Sequence, residues 1–322
     1  MYSRIAGTGS YLPEKILTNA DLEKLIDTSD EWIRTRTGIS QRHVAAEGET
    51  TTDLAEHASR RALEAAGLAA SDIDLICVGT TTPDLVFPNV GTLLQDRLGL
   101  TNGCPAFSLE AACTGFMYAL SVADKFVRQG ESKCALVVGA ETLTRIMDWN
   151  DRGTCVLFAD GAGAVILVPA EEPGIINTRL HSDGRYKELL QYPDGVSKGF
   201  KLVRAGKAGV QMKGNEVYKV AVNTLGLLVT ETLAANHTTK DQLDWLIPHQ
   251  ANIRIIEAIA KRLDLPMDRV IVTIDTHGNT SAASVPLALD TGVRDGRVKR
   301  GQLLLLEAFG GGFTWGSALI RY

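Results

Sequence analysis

The chain has no excess of positive charge. Its 33 Lys and Arg are outnumbered by 38 Asp and Glu, giving a formal net charge of −5. A general nucleic-acid binder carries the opposite balance, so an anionic partner must find a local basic patch. Cysteine is scarce: it occurs at 77, 104, 113, 134 and 155, with no two positions in C-x-x-C spacing and none in the second half. That pattern excludes a zinc framework and a disulfide scaffold and reads as a reduced cytosolic chain. Long apolar runs are missing too. Ala164–Val168 and Leu303–Leu306 are among the longest, far below the ~18 residues that span a bilayer. The opening MYSRIAGTGSYLPEKI has no apolar run of signal-peptide length. These absences point to a soluble cytoplasmic protein without nucleic-acid or membrane partners. What is present is an ordinary globular composition: 322 residues, 45% hydrophobic and 22% charged. Such a chain buries a large core without crosslinks.

Short apolar runs alternate with longer helical patterns. Leu75–Gly79, Ala135–Gly139, Ala164–Val168, Asp244–Ile247 and Leu303–Glu307 read as strands covered on both faces, because they do not alternate with polar residues. Thr52–Ala66, Gly115–Gln129, Val217–Ala235 and Ile253–Leu263 read as helices. The alternation argues an α/β fold with largely parallel sheets. No low-complexity linker separates domains, and the Pro/Glu-rich turn Pro169–Pro173 is the best boundary, giving halves 1–172 and 173–322. The halves echo each other. SDIDLICVGTTTPD from Ser71 resembles DQLDWLIPHQAN from Asp241, SLEAACTGFMYAL from Ser108 resembles TIDTHGNTSAASVPLAL, and CALVVGAE from Cys134 resembles LLLLEAFGGG. The offsets 244−74 = 170, 279−113 = 166 and 307−139 = 168 keep order and spacing, as an internal duplication would. In that alignment Asn279 occupies the position of Cys113. Polar loops at matching strand ends can then meet at one site.

Four places carry chemistry. Cys113, in LEAACTGF, follows a strand and opens an apolar helix, whose N-terminus favours a thiolate. A small core cysteine fits the same position, as it does for Cys77, Cys134 and Cys155. His249, in PHQAN, follows a strand directly, where either site chemistry or a structural role is open. Asn279, in THGNTSAASVP, serves either a tight turn or as an amide donor to an oxyanion. His277 beside it is not dismissed by spacing. FGGGFTWGS from Phe309 is either a glycine hairpin or a source of backbone donors. It lacks the Gly-Lys-Ser/Thr of a phosphate loop, and nothing in the chain is a dinucleotide fingerprint.

Taken together, ACTGF at Cys113, PHQAN at His249, GNTSAAS at Asn279 and the closing FGGGFTWGSALIRY resemble β-ketoacyl-acyl carrier protein synthase III, the initiating condensing enzymes of bacterial type II fatty acid synthesis within the thiolase superfamily. The likeness runs from GTGSYLP at Gly7 to the last residue. It implies a duplicated five-layer αβαβα fold and a homodimer. Thr114 departs from the family's usual serine but keeps a hydroxyl. Elongating condensing enzymes carry a second histidine where Asn279 stands, and thiolases a second cysteine late in the chain; neither is here.

The resemblance implies a mechanism. Cys113 takes an acyl group from acyl-CoA, acetyl-CoA first among primers, with the Cys113 and Gly311 N–H groups as oxyanion hole. Malonyl-acyl carrier protein then loses carbon dioxide, and His249 and Asn279 donate to the enolate oxygen. No metal or organic cofactor is required. Phe309 keeps the pocket dry. Trp32 and Arg152 flank the adenine of CoA, Arg36 helps with its phosphates, and Asn252 hydrogen-bonds the pantetheine arm. A Thr28/Glu31 capping box starts a helix that puts Trp32 and Arg36 on one face. The helix from Ile253 buries Ile253, Ile256, Ala260 and Leu263, leaving Arg254, Lys261 and Arg262, with Lys219 nearby, for an acidic carrier protein or as a solvated charge face. Phe87, in PDLVFPN, crosses the dimer interface to close the partner's acyl pocket. The nearest alternative is a condensing enzyme of secondary metabolism using longer or aromatic acyl groups. A non-catalytic partner subunit would lack the nucleophile, and a cysteine hydrolase would have no use for malonyl groups.

Overall fold

The computed structural model describes all 322 residues. The first half runs β1 (Tyr2–Tyr11), β2 (Lys15–Thr18), α1 (Asn19–Leu22), α2 (Asp30–Thr37), β3 (Gln41–Val44), α3 (Thr51–Ala66), β4 (Leu75–Gly79), α4 (Val90–Arg97), β5 (Ala106–Leu109), α5 (Gly115–Gln129), β6 (Ala135–Thr142) and β7 (Asp160–Ala170). The second runs β8 (Ile175–Ser182), β9 (Leu190–Gln191), α6 (Lys201–Arg204), β10 (Gln211–Met212), α7 (Gly214–Ala235), β11 (Trp245–Pro248), α8 (Ile253–Arg262), α9 (Ile274–His277), α10 (Ser284–Arg294), β12 (Leu303–Gly310) and β13 (Thr314–Arg321). No helix is long and apolar enough to cross a membrane.

Two sheets form the frame, in the orders β1-β7-β6-β4-β5 and β11-β12-β13-β8. Neither is largely parallel, contrary to the sequence reading. β4 is parallel to β5 and β6, and β11 to β12, but β7 runs antiparallel to β6 and β1, and β13 antiparallel to β12 and β8. At β13 the cause is the connection. Only Gly311–Phe313 separate β12 from β13, and a tight turn joins antiparallel neighbours, whereas parallel strands need a crossover.

Helices cover and separate the sheets because each buries one apolar stripe. Leu54, Ala55, Ala58 and Ala62 of α3 pack with Val78, Leu136 and Val138 on the outer face of the first sheet. Phe116, Leu120 and Ala123 of α5 and Val285, Ala288 and Leu289 of α10 share a core with both sheets, including Leu304 and Leu306 of β12. Leu225 and Leu228 of α7 and Ile256 and Ile259 of α8 cover Leu303 and Leu305 on the far side. Five layers result, αβαβα, and the central layer draws on both halves.

Side-chain caps start α3 and α8, whereas α5, α7 and α10 have none. Thr50 and Asp53 form a capping box at α3, but α2 is capped by Ser29, whose Oγ accepts from Trp32 N–H. Thr28 was the sequence candidate; its hydroxyl is buried without a partner. Both residue types can cap, Ser somewhat better than Thr, and Ser29 has the extended backbone of a cap (φ −144, ψ 154).

The duplication is visible residue by residue. Ile76 pairs with Ala106 in the first half, and Leu246 with Val270 in the second. Each half then makes a turn with a left-handed residue, Ala112 (φ 45) and Ser281 (φ 49), 281−112 = 169 positions apart. By this register Cys113 matches Ala282. Asn279 lies three residues before that point rather than on it. Gly139 makes the arrangement possible: a Cβ there would stand 2.2 Å from Ala282 O, so only glycine lets the second-half turn lie on β6.

Candidate active site

A cavity of about 260 Å³ runs into the molecule between α2, α7 and α8. At its buried end lie Cys113, His249, Asn279 and Phe309, and at its mouth Trp32, Arg36, Arg152, Asn252 and Arg254. Residues separated by more than 200 positions are thus gathered on one path.

Cys113 follows the left-handed Ala112, a strained conformation that must be held from outside. Glu110 Oε1 accepts from Ala112 N–H at 2.8 Å and from Thr81 Oγ1 at 2.6 Å. The glycine hairpin closes over Cys113, since a Cβ on Gly310 would lie 2.6 Å from Cys113 N. Neither Cys113 N–H nor Gly311 N–H has a backbone acceptor, which leaves two donors beside the sulfur. The helix N-terminus does not suffice to hold a standing thiolate. Burial pushes the Cys113 thiol up to about 12, the Ser281 side chain opposing this by hydrogen bonding and Glu141 adding to it by its charge. Burial drives Cys77 and Cys134 to about 12 as well. Position, not acidity, distinguishes Cys113.

His249 leaves β11 and is fixed by its N–H donating to Glu307 O at 2.8 Å. Its Nδ1 lies 2.9 Å from Ser284 Oγ, which accepts from Gln250 N–H at 2.6 Å. The serine hydrogen has no other acceptor, so it donates to Nδ1 and the ring proton sits on Nε2. His249 Nε2 is buried without a protein partner. Burial lowers the ring's pKa to about 3, so His249 is a neutral donor. Asn279 is held through its backbone, its N–H donating to Leu157 O and its carbonyl accepting from Ala159 N–H, both at 2.9 Å. Its Oδ1 accepts from Ser281 N–H at 2.9 Å, which leaves the Nδ2 hydrogens to donate. Phe309 is buried and tilted against Phe313 with centroids 4.6 Å apart. His277 sits in α9 and lines neither this cavity nor the second one behind the sulfur.

At the mouth, the Arg36 and Arg152 guanidiniums stand 4.9 and 5.0 Å from the Trp32 ring centroid, a cation–π stack open to solvent. Asn252 caps α8: its Oδ1 accepts from Arg254 N–H, and its Nδ2 donates to Arg36 O, both at 2.9 Å. Its amide thus ties α8 to α2. Arg254 sits 5.4 Å from the Tyr218 ring and lines the cavity, while Lys261, Arg262 and Lys219 are exposed outside it. The buried stripe of α8 is Ile255, Ile256, Ile259 and Ala260. Ile253, expected inside, is half-buried because it lies at the first turn against Gly38.

A second cavity of about 500 Å³ opens on the other side of Cys113, with Leu143, Phe158, Leu190 and Val210 as apolar wall and Gly311 at its edge. Phe87 lines neither cavity. It is 84% exposed on a loop with Leu85 and Val86.

Sequence reasoning missed Ser281, Ser284, Glu141 and Glu307. Both glutamates are fully buried near the ends of the matched strands β6 and β12. Burial raises Glu141 to about 7 and Glu307, whose two oxygens have no partner, to about 8. The signal was available: one acid in each of two apolar strands, ALVVGAET and LLLLEAFG.

Comparison with known proteins identifies the family. Residues 107–184 match the family described as 3-oxoacyl-[acyl-carrier-protein] synthase III, and 233–322 its C-terminal counterpart. The chain is 68% identical over 322 residues to the beta-ketoacyl-[acyl-carrier-protein] synthase III of Xanthomonas campestris pv. campestris, covering 100% of this chain and 99% of that one. Among solved structures, 3-oxoacyl-[acyl-carrier-protein] synthase III from Aquifex aeolicus superposes with a TM-score of 0.93 at 46% identity, covering 99% and 100% of the two chains. The priming β-ketosynthase of the R1128 polyketide pathway reaches 0.94 at 38% identity, covering 99% and 96%. That lower identity does not favour the secondary-metabolism alternative. The chain belongs to the β-ketoacyl-[acyl-carrier-protein] synthase III family, condensing enzymes that transfer acyl groups on a duplicated five-layer fold.

Proposed function

We propose that Cys113 is acylated by acetyl-CoA and that the acetyl group is then condensed with malonyl-acyl carrier protein to give a 3-oxoacyl product. One observation carries the reading: two neutral hydrogen-bond donors, His249 Nε2–H and Asn279 Nδ2–H, share the buried end of a cavity with a cysteine. In the first half-reaction the Cys113 sulfur attacks the thioester, and the Cys113 and Gly311 N–H groups receive the oxyanion. CoA leaves. In the second, the malonyl carboxylate departs as carbon dioxide, charge moves to the thioester oxygen, and His249 and Asn279 donate to it. The carbanion attacks the acyl carbon and expels the Cys113 thiolate. Loss of one such donor costs about 2.7–4 kcal/mol of barrier, or 10²–10³-fold in rate. The steps use no metal and no organic cofactor.

Trp32, Arg36 and Arg152 suit the nucleotide end of CoA, an aromatic face between two cations. The Asn252 amide reaches the pantetheine arm only by giving up a bond to α2 or α8. Lys261 and Arg262 form the docking patch for the acidic carrier, in a soluble cytoplasmic homodimer whose interface holds the Phe87 loop. Arg254 serves both substrates, because it lines the shared cavity. The Lys261→Glu/Arg262→Glu variant should therefore raise KM for malonyl-carrier protein about tenfold and spare transacylation, whereas Arg254→Glu harms both; equal harm from all three sinks the patch. Intact-mass analysis tests the core reading. Acetyl-CoA should leave an acetyl adduct on Cys113, which malonyl-carrier protein discharges as 3-oxoacyl product. No adduct, or discharge by water alone, refutes it.

A further inference from the structure

Arg42, in β3, is the largest fully buried side chain of the molecule. Its Nη1 donates to Leu17 O at 3.1 Å, and its Nη2 donates to Asn19 Oδ1 at 2.8 Å and to Val156 O at 2.9 Å. All three acceptors are neutral oxygens, and Nε is buried without a partner. Burial lowers the guanidinium only to about 10, so it stays a cation at neutral pH. A buried cation facing no anion burdens the fold, and an apolar side chain of similar volume would pack as well. Its value lies in what the fork holds.

Val156 O belongs to the segment on which Asn279 hangs. Leu157 O accepts from Asn279 N–H and Ala159 N–H donates to Asn279 O, both at 2.9 Å, with Phe158 bridged to Asn279 between them. The turn before Asn279 also rests on Arg42 directly. Gly278 is left-handed (φ 68), and a Cβ there would stand 3.0 Å from Ala159 Cβ and 3.3 Å from Arg42 Cβ. The far end of the segment is anchored separately: Asp160 accepts from Ala45 N–H at 2.8 Å, Thr144 N–H at 2.9 Å and Thr144 Oγ1 at 2.6 Å. Arg42 is the side-chain tie at the near end. Val156, Leu157 and Phe158 line the cavity and Arg42 does not, so the guanidinium stands behind the wall.

We propose that Arg42 is a positioning residue for the condensation: its fork fixes Val156–Ala159 and, through that segment, the place of the Asn279 amide. This inference rests on the proposed function, in which Asn279 donates only in the second half-reaction. Ser281 N–H on Asn279 Oδ1 sets the rotation of the amide, but its backbone is placed by Leu157 and Ala159. Without the fork, three buried oxygens lose their donor, and the segment shifts toward other donors. A donor displaced by about 1 Å loses on the order of 10²-fold in rate. Acylation uses the Cys113 and Gly311 N–H groups, which hang on other segments.

The two half-reactions of Arg42→Met, which keeps apolar bulk and loses the fork, test this. Acetylation of Cys113 by acetyl-CoA, read by intact mass, should stay within about threefold of native, while discharge of preformed acetyl-Cys113 by saturating malonyl-carrier protein should slow about tenfold or more. In an Asn279→Ala background the same substitution should add less than about twofold, because the donor it places is already gone. A side chain serving the fold alone predicts equal loss in both half-reactions, or the same factor with and without the Asn279 amide. Either result overturns the proposal, as does unchanged discharge. If Arg42→Met does not fold, Arg42→Lys, a cationic donor without the fork, should show the same split. If neither folds, the arginine is a requirement of the fold and the proposal is overturned. The native protein separates the two readings: no acetyl adduct on it sinks acyl transfer itself, whereas an adduct that it discharges keeps that reading standing whatever the variants do.

Discussion

Glu307 sits in the wall of the second sheet with neither carboxyl oxygen bonded, and burial raises it from 4.5 to about 8. A raised folded-state pKa means the fold binds that proton more tightly than the unfolded chain. Stability is then full below about pH 4.5, falls as pH rises, and levels off above about pH 8. Each pH unit in the window is worth about 1.4 kcal/mol. Ionising the group in the unfolded chain alone costs the fold about 3 kcal/mol near pH 6.5 and about 5 kcal/mol near pH 9. Glu307→Gln removes the titration and keeps the shape. Near pH 4.5 the variant should match the native protein within about 1 kcal/mol. Near pH 9 it should be more stable by several kcal/mol. Urea unfolding followed by tryptophan fluorescence across that range measures the difference. Parallel stability-against-pH curves would show that Glu307 ionises in place, with a partner or water that the buried geometry does not provide.

Two further outcomes concern the cavity. Trp32→Ala removes the surface between two guanidiniums, each such contact being worth about 0.5–1 kcal/mol when exposed. KM for acetyl-CoA should rise about tenfold, while acetyl-N-acetylcysteamine, a thioester without a nucleotide, reacts as before; equal loss for both contradicts the stack. Ser284→Ala frees His249 Nδ1 and strands the Gln250 N–H, a hydrogen-bond loss of about 1 kcal/mol or more. Condensation should slow about tenfold with acylation of Cys113 near normal, and unchanged condensation would contradict the assigned tautomer.

Much of this molecule was readable before its structure. Leu75–Gly79 and Gly115–Gln129 were bounded to the residue, because strands covered on both faces and helices ending at glycine carry strong local signals. Strand direction was not readable. The antiparallel β7 and β13 depend on connections whose geometry no apolar pattern records. Cys113, His249 and Asn279, the residues proposed to react, stand at strand ends and in turns, where residue type is informative. Ser281 and Ser284 were invisible: a serine at the start of a small-residue helix resembles any cap, and the group Ser284 faces, His249, lies 35 positions away in the chain. Glu141 and Glu307 were visible as charges in apolar strands and were passed over because the strand pattern around them was otherwise complete.

Charge is arranged along the cavity with cations at the mouth and none at the bottom. Arg36, Arg152 and Arg254 are exposed, while His249 is neutral because burial holds its pKa near 3. A cation at the bottom would bind the malonyl carboxylate and oppose its loss. In the proposed reaction, a neutral, apolar pocket beside Phe309 would leave that carboxylate poorly solvated and offer hydrogen bonds where the charge goes next. The pH dependence follows with a definite sign. A histidine of ordinary pKa would protonate as pH falls through about 6.5, and condensation would weaken with it. Here the ring's folded-state pKa is depressed, so it remains the same neutral donor down to about pH 4. Discharge of preformed acetyl-Cys113 by malonyl-carrier protein, measured in single turnover, should stay level between about pH 7 and pH 5. An acid limb centred near 6.5 that disappears in His249→Asn, which keeps a neutral donor, would show that the ring titrates normally and that the dry, cation-free pocket is not what drives the loss of carbon dioxide.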